Sequence, residues 1–222
     1  MCIRDSSSGI LTFVTAPDYE TTTRYSATVT VTDGATAITQ AISVAITDVD
    51  DVAPVITSSA TFSAPENQTT IGTAIATDVD SSSITFSISG TDLAVTSGGV
   101  ITFVTAPDFE TTPSYTATLT ATDGINSSTQ SITVNVTDVN EMPTFTSLAS
   151  FDADENQTTI GSVTADDVDS SSITFSISGS DLALTSDGTL SFVTAPDYET
   201  KSSYSATVTA SDGDLSATQA IT

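Results

Sequence analysis

The sequence contains no histidine and no tryptophan, a single cysteine, and only three basic residues, Arg4, Arg24 and Lys201, among 222. Without histidine the usual general base and the commonest zinc ligand are missing, so serine–histidine and cysteine–histidine catalysis cannot be assembled. Lys201 alone is left for a lysine-based scheme, and it stands beside a serine pair in what reads as a surface loop. One cysteine, Cys2, allows neither an intrachain disulfide nor a thiolate metal site. Against three bases stand 28 acids, a net charge of -25, which excludes nucleic acid and anionic membrane as partners because both require clustered Lys and Arg. No apolar run approaches the roughly 18 residues that span a bilayer, and Met1 to Ser8 holds no apolar stretch of the signal-peptide kind. The chain reads as a non-enzyme whose natural partners are cations.

What is present is repetition. TAPDYE at Thr15–Glu20, TAPDFE at Thr105–Glu110 and TAPDYE at Thr194–Glu199 recur in one register with Asp33-Gly34, Asp123-Gly124 and Asp212-Gly213. The same register aligns Glu66-Asn67 with Glu155-Asn156, and Asp78-Val79-Asp80 with Asp167-Val168-Asp169. Two linkers, Asp48-Val49-Asp50-Asp51-Val52-Ala53-Pro54 and Asp138-Val139-Asn140-Glu141-Met142-Pro143, separate the units, and their prolines do not fit a central strand. The expected organisation is an unrelated segment 1–8, the second half of a repeat with its linker at 9–53, a complete repeat at 54–142, and a third at 143–222 that lacks the end of its last strand. The phase of the repeat makes this an internal fragment of a longer array.

Within the complete repeat the hydrophobic period is that of strands. Ile71, Thr73 and Ile75 alternate, as do Ile84, Phe86 and Ile88, then Tyr115, Ala117, Leu119 and Ala121, and finally Ile132, Val134 and Val136. With 55–63, 92–96 and 99–104 this predicts seven short strands per unit, an all-β Greek-key sandwich of the immunoglobulin-like kind. Phe62, Phe86, Phe103 and Tyr115 are its expected aromatic core.

Of the 28 acids, 20 fall in the five motifs above, all at predicted strand ends or loops. Two like charges about 4 Å apart repel by roughly 4 kcal/mol at an effective dielectric near 20, so such grouping calls for a counter-ion. Loops gather at the poles of a sandwich, where carboxylates from successive units can converge on a linker. A hard cation that accepts six to eight oxygens suits such a set, and calcium does so better than the smaller, more tightly hydrated magnesium. Singly the motifs have plainer readings: Asp-Gly as a turn, PDYE as a loop packed on the core, Asp-Val-Asp as a solvated turn. Salt adaptation would instead scatter acids along exposed strand faces, which here are Ser and Thr. Four N-x-S/T triplets, at Asn67, Asn126, Asn135 and Asn156, are expected by chance in so Ser- and Thr-rich a chain.

The EN, D-x-D, D-Y/F-E, A-x-D-G and D-x-N-D-N-x-P-like motifs, in this order over residues 9–222, resemble cadherin repeats, and the short units resemble the cadherin-like repeats of bacterial surface proteins. The resemblance implies calcium at each linker. At the first boundary it assigns Asp18, Glu20, Asp50, Asp51, Asp78, Asp80 and Asp123, with the carbonyls of Val49 and Val52. At the second it assigns Glu66, Asp108, Glu110, Asn140, Glu141, Asp167, Asp169 and Asp212. Asp48 and Asp138 are expected only to bond nearby backbone. Departures are Val52 and Met142 for the second linker Asn, Glu141 for Asp, Pro143 one residue early, and serines after Asp-Val-Asp.

The function so implied is that of a calcium-stiffened, adhesive or spacer segment of an extracellular or cell-surface protein. Its expected partners are calcium, neighbouring repeats of the same chain, and another cell-surface protein, a like copy or a glycan. The alternative is a glycan- or ligand-binding accessory module of a secreted enzyme. A glycosidase pair of Glu66 with Glu110 is disfavoured, since no aromatic sugar cleft accompanies it.

Overall fold

The computed structural model describes Ile3–Arg4 and residues 9–222, and every regular element among them is a strand. Ile3–Arg4 pairs with Thr12–Phe13; the rest of the segment read as unrelated, Cys2 included, lies outside the described residues. The chain divides into two compact units, Met1–Thr137 and Asp138–Thr222.

The complete repeat is a Greek-key sandwich. One sheet runs in the order Thr61–Pro65, Ser127–Thr137, Ser114–Thr122, Thr85–Ile88, and the other Leu93–Val95, Val100–Phe103, Thr70–Thr73. The long hairpin of Ser114–Thr122 with Ser127–Thr137 is antiparallel, and Thr61–Pro65 lies parallel to Thr133–Thr137. Its alternation does what a period of two dictates: Leu119, Ala121, Ile132, Val134 and Val136 point inward and are buried, while Thr120 and Thr133 are half-buried and Asn135 is exposed on the other face. Phe103 and Tyr115 meet edge to face at 5.2 Å, a pair repeated as Phe13–Tyr25 and Phe192–Tyr204.

The expected first strand, 55–63, divides in two. Val55–Ile56 pairs with Ala76–Thr77, whereas Thr61–Pro65 joins the opposite sheet. One straight strand cannot bond both sheets, and a bend at Ser58 and Ala60, fixed by Thr57 and Ser58 N–H groups donating to the Ile75 carbonyl, carries the chain across. The last strand is longer than expected, beginning at Ser127.

One glycine is dictated by this packing. Gly99 has φ +90°, and a Cβ there would stand 2.4 Å from the Ala74 carbonyl oxygen, while the Ala74 N–H donates to the Gly99 carbonyl at 2.8 Å. Gly188 repeats the arrangement against Val163.

The third repeat has the same core in Val163, Leu182, Leu190, Val208 and Ile221. Its final strand, Ser216–Ile221, covers six residues where the second repeat has eleven. A groove of about 540 Å³ lies beside Phe151, Leu190, Phe192 and Tyr204. In the half-repeat, the Arg24–Thr32 and Ala37–Ala45 hairpin keeps the same register as its counterpart, but Val31 and Ile38 are 60% and 73% exposed. Pro54 and Pro143 close the linkers and are fully buried.

Gly99→Ala is expected to lower unfolding free energy by at least about 1–3 kcal/mol, the usual cost of a strained backbone position. Gly98→Ala, with only the Thr96 hydroxyl oxygen at 3.9 Å, is the control. Urea unfolding of the two variants checks this, and equal midpoints would disprove it.

Candidate metal centre

The acidic motifs fold locally into turns that spend one carboxylate oxygen on backbone N–H groups, as short Asp side chains readily do. Asp78 Oδ1 accepts from the Asp80 and Ser81 N–H groups at 2.8 and 2.9 Å. Asp123 Oδ1 accepts from Ile125 and Asn126 at 2.6 and 2.7 Å. Asp80 Oδ2 accepts from the N–H groups of Asp51 and Val52 at 3.2 and 2.9 Å, which ties the linker to the repeat that follows it. The partner oxygens of all three, Asp78 Oδ2, Asp80 Oδ1 and Asp123 Oδ2, are buried and receive no hydrogen bond.

Around these the same linker gathers further charge. Glu20, Asp48 and Asp80 each bring a carboxylate oxygen within 4.8 Å of the others. Against the pull of its own backbone N–H, burial and the Asp80 and Asp18 carboxylates push Glu20 up to about 7. Asp50 is raised by burial and by the Asp123 charge, although the Asn126 amide donates to its Oδ1 at 3.0 Å. At Asp123 burial acts upward, but the N–H groups of Asn126 and Ile125 prevail and hold it below the ordinary carboxylate range.

The second linker repeats the device within its own unit. Asp167 Oδ1 accepts from Asp169 and Ser170 at 3.0 and 2.8 Å, and Asp169 Oδ2 accepts from the Glu141 N–H at 2.6 Å. Asp167 Oδ2 and Asp169 Oδ1 are again buried without a donor. Asp212 differs from Asp123. Its Oδ1 takes the Asp214 and Leu215 N–H groups, both at 2.7 Å, while its Oδ2 takes the Asn140 amide at 2.9 Å, and these bonds, the Asn140 one foremost, lower its pKa.

The EN and PDYE motifs form a second kind of cluster. Glu66, 3% exposed, accepts the Phe109 N–H at 2.8 Å, and Asn67 takes the left-handed conformation at φ 61°, which Asn tolerates, so that its N–H reaches the Pro107 carbonyl. Glu66 and Glu110 bring carboxylate oxygens within 4.8 Å of one another, and Glu155, Asp197 and Glu199 do so in the third repeat.

The sequence-derived set therefore divides. Glu20, Asp50, Asp78, Asp80 and Asp123 meet around the first linker, and Asp51 contributes its N–H there. Asn140, Glu141, Asp167, Asp169 and Asp212 meet in the second unit, and Glu66 with Glu110 in the first. Asp18 and Asp108 close their own turns: their carboxylates accept the N–H and hydroxyl of Thr21 and of Thr111. Asp48 was expected to bond only backbone, yet it joins Glu20 and Asp80. Asp138 likewise brings an oxygen within 4.8 Å of Asp169. Asn126 carried no signal at all beyond its N-x-S context.

No family model matches the chain, and no curated protein does. Solved structures do. The protocadherin gamma-B4 extracellular domain is 28% identical with a TM-score of 0.61, over 99% of this chain and 40% of that one. The repeats are cadherin-like. Mouse cadherin-23 EC22-24 matches at 23% identity and TM-score 0.59 over 99% of this chain and 80% of that chain. Drosophila N-cadherin EC1-4 matches at 26% and 0.55 over 77% and 48%. The chain thus spans less than half of the first and third of these.

A calcium ion fits the cadherin-like linkers on the structure's own terms. A buried polar group left without a partner costs about 1–3 kcal/mol, more when charged, and four such aspartate oxygens, on Asp78 and Asp80 and on Asp167 and Asp169, recur at matched positions, with Asp123 adding a fifth. All the donors are hard oxygen, with no thiolate or imidazole.

The raised Glu20 fixes a sign for stability without metal. A carboxyl whose folded value of about 7 lies above its ordinary 4.5 stabilises the fold at pH below 4.5, and that contribution is lost as pH rises toward 7. In chelator, the melting temperature of the first unit is expected to fall across this window, and Glu20→Gln to flatten the fall. A chelated melting curve that stays level from pH 4.5 to 7 would refute it.

Proposed function

We propose that the chain is a calcium-ordered repeat segment of an extracellular or cell-surface adhesive protein, with a mechanical and interactive role in place of catalysis. The observation that carries this reading is the set of buried, donorless oxygens on Asp78, Asp80 and Asp123 at the first linker, answered by Asp167 and Asp169 at the second.

Calcium bound there supplies the positive charge that these oxygens lack. The chain's own residues do the rest. Asp80 and Asp169 grip the linker backbone with one oxygen and turn the other toward the ion. Glu20 and Asp48 at the first linker, with Asp50, complete a cage whose members otherwise repel. Loading converts mutual repulsion into a common attachment, so that a linker free to flex becomes fixed. Dissociation constants of extracellular calcium modules fall near 0.1–1 mM, which suits an ion-rich exterior. The structurally similar proteins are cadherins and protocadherins, and this resemblance supports an adhesive setting with neighbouring repeats, or a like copy, as partner.

Calcium at about ten times its dissociation constant stabilises by about 1.4 kcal/mol per ion bound to the folded state alone. Several degrees of rise in melting temperature are therefore expected, at about 4–8 °C per kcal/mol for domains of this size, together with a narrower distribution of dimensions in solution scattering. Asp80→Asn with Asp169→Asn should abolish most of both effects. Identical melting and scattering curves in calcium and in chelator would end the proposal.

A further inference from the structure

The two linkers carry the same amide–carboxylate bridge with its ends exchanged. In the first, the carboxylate sits on the linker and the amide on the Asp-Gly turn: Asn126 Nδ2 donates to Asp50 Oδ1 at 3.0 Å and to the Asp50 carbonyl at 3.3 Å. In the second, the amide sits on the linker and the carboxylate on the turn: Asn140 Nδ2 donates to Asp212 Oδ2 at 2.9 Å. The exchange is written in the sequence. Asp50 aligns with Asn140, and Asn126, three residues after Asp123, aligns with Leu215, three after Asp212.

This exchange changes what a cation meets. At the first linker the turn aspartate keeps a buried oxygen with no donor, Asp123 Oδ2, and Asp50 adds a second carboxylate whose other oxygen the bridge leaves out. At the second linker the corresponding oxygen, Asp212 Oδ2, is already satisfied by Asn140. A cation there must break that bond, and it gains one carboxylate fewer. Without Asn126, Asp50 would stand beside Asp123 with nothing to hold it.

We infer that Asn126 is a positioning residue that aims Asp50 at the turn-side cation position of the first linker, and that the two linkers are consequently graded, the first binding calcium more tightly and favouring trivalent ions. The inference rests on the calcium reading above and concerns only how the ion's ligands are distributed between the two linkers. Gradation makes the chain respond in steps: as calcium rises, the first linker is ordered before the second.

The test is isothermal titration calorimetry of the full 222-residue chain with calcium and with terbium, paired with melting in chelator and in calcium. Two classes of site separated by about tenfold or more are expected. Asp50→Asn should weaken the tighter class by about tenfold, and Asn126→Ala should weaken it several-fold. Both should leave the weaker class unchanged. Asn140→Asp should strengthen the weaker class, and terbium should widen the gap between classes in the unaltered chain. A single class in that chain, or a tight class indifferent to both Asp50→Asn and Asn126→Ala, overturns the inference while leaving calcium binding intact. An Asn126→Ala effect confined to the chelator melt overturns it too, since that is what mere structural damage would give. No heat and no melting shift with either ion overturns the calcium reading itself, and this inference with it.

Discussion

An aspartate has two oxygens, and in the three turns at the first linker of this chain the fold uses only one. The backbone takes Asp78 Oδ1, Asp80 Oδ2 and Asp123 Oδ1 to shape the turns and to fasten the linker. Burial of the other three follows from that shape, because the turns fold the side chains inward beneath the linker. The N–H bonds fix the carboxylates at close quarters, and the closeness creates a field that hydrogen bonds within the chain do not neutralise. The charge of -25 is in part gathered at these turns, where the donorless oxygens support the cation reading proposed above.

The sandwich supports this through its rigidity more than its size. Each repeat has a small core, with Leu119, Ile132 and Val134 in one copy and Leu190, Val208 and Ile221 in the next. That core fixes the strand ends from which the Asp-Val-Asp and Asp-Gly turns project. Gly99, with the Ala74 carbonyl where a side chain would go, shows how close the two sheets' connections lie. Glu66, almost wholly buried, holds the PDFE turn through the Phe109 N–H. An acid that reads as a ligand is thus also a structural tie, and the two roles are compatible because a carboxylate can accept on one oxygen and coordinate with the other.

Much of this was legible in the residues. The period of two placed the strands, since Leu119, Ala121, Ile132, Val134 and Val136 alternate with polar residues along the long hairpin. The recurrence of five acidic motifs in one order placed the carboxylates at strand ends. What the residues did not disclose was the allocation of individual oxygens. Asp18 and Asp108 look like ligands by motif, yet Thr21 and Thr111, three residues on, claim both of their oxygens. Asp48 looks like a linker residue tied to backbone, yet it reaches Glu20 and Asp80. A motif states which side chains share a loop. It does not state which N–H lies nearest to which oxygen, because that depends on turn geometry a few tenths of an ångström fine. The divided first strand escaped for a related reason: its alternation is continuous through the bend, and only the competition of two sheets for the same backbone reveals the break.

The asymmetry between linkers follows from the same allocation. Repeats copied from one another would be expected to bind alike, and the near-identity of Ser83–Gly90 with Ser172–Gly179 shows how little these copies have diverged elsewhere. At the two linkers an amide and a carboxylate have traded sides. Trading sides preserves the bridge, so each linker keeps its local hydrogen bond, but it does not preserve the charge presented to an ion. One linker offers Asp50 beside Asp123; the other offers Asn140 beside Asp212. Both linkers keep an amide–carboxylate bridge, and the difference between them is the carboxylate that Asp50 presents and Asn140 does not.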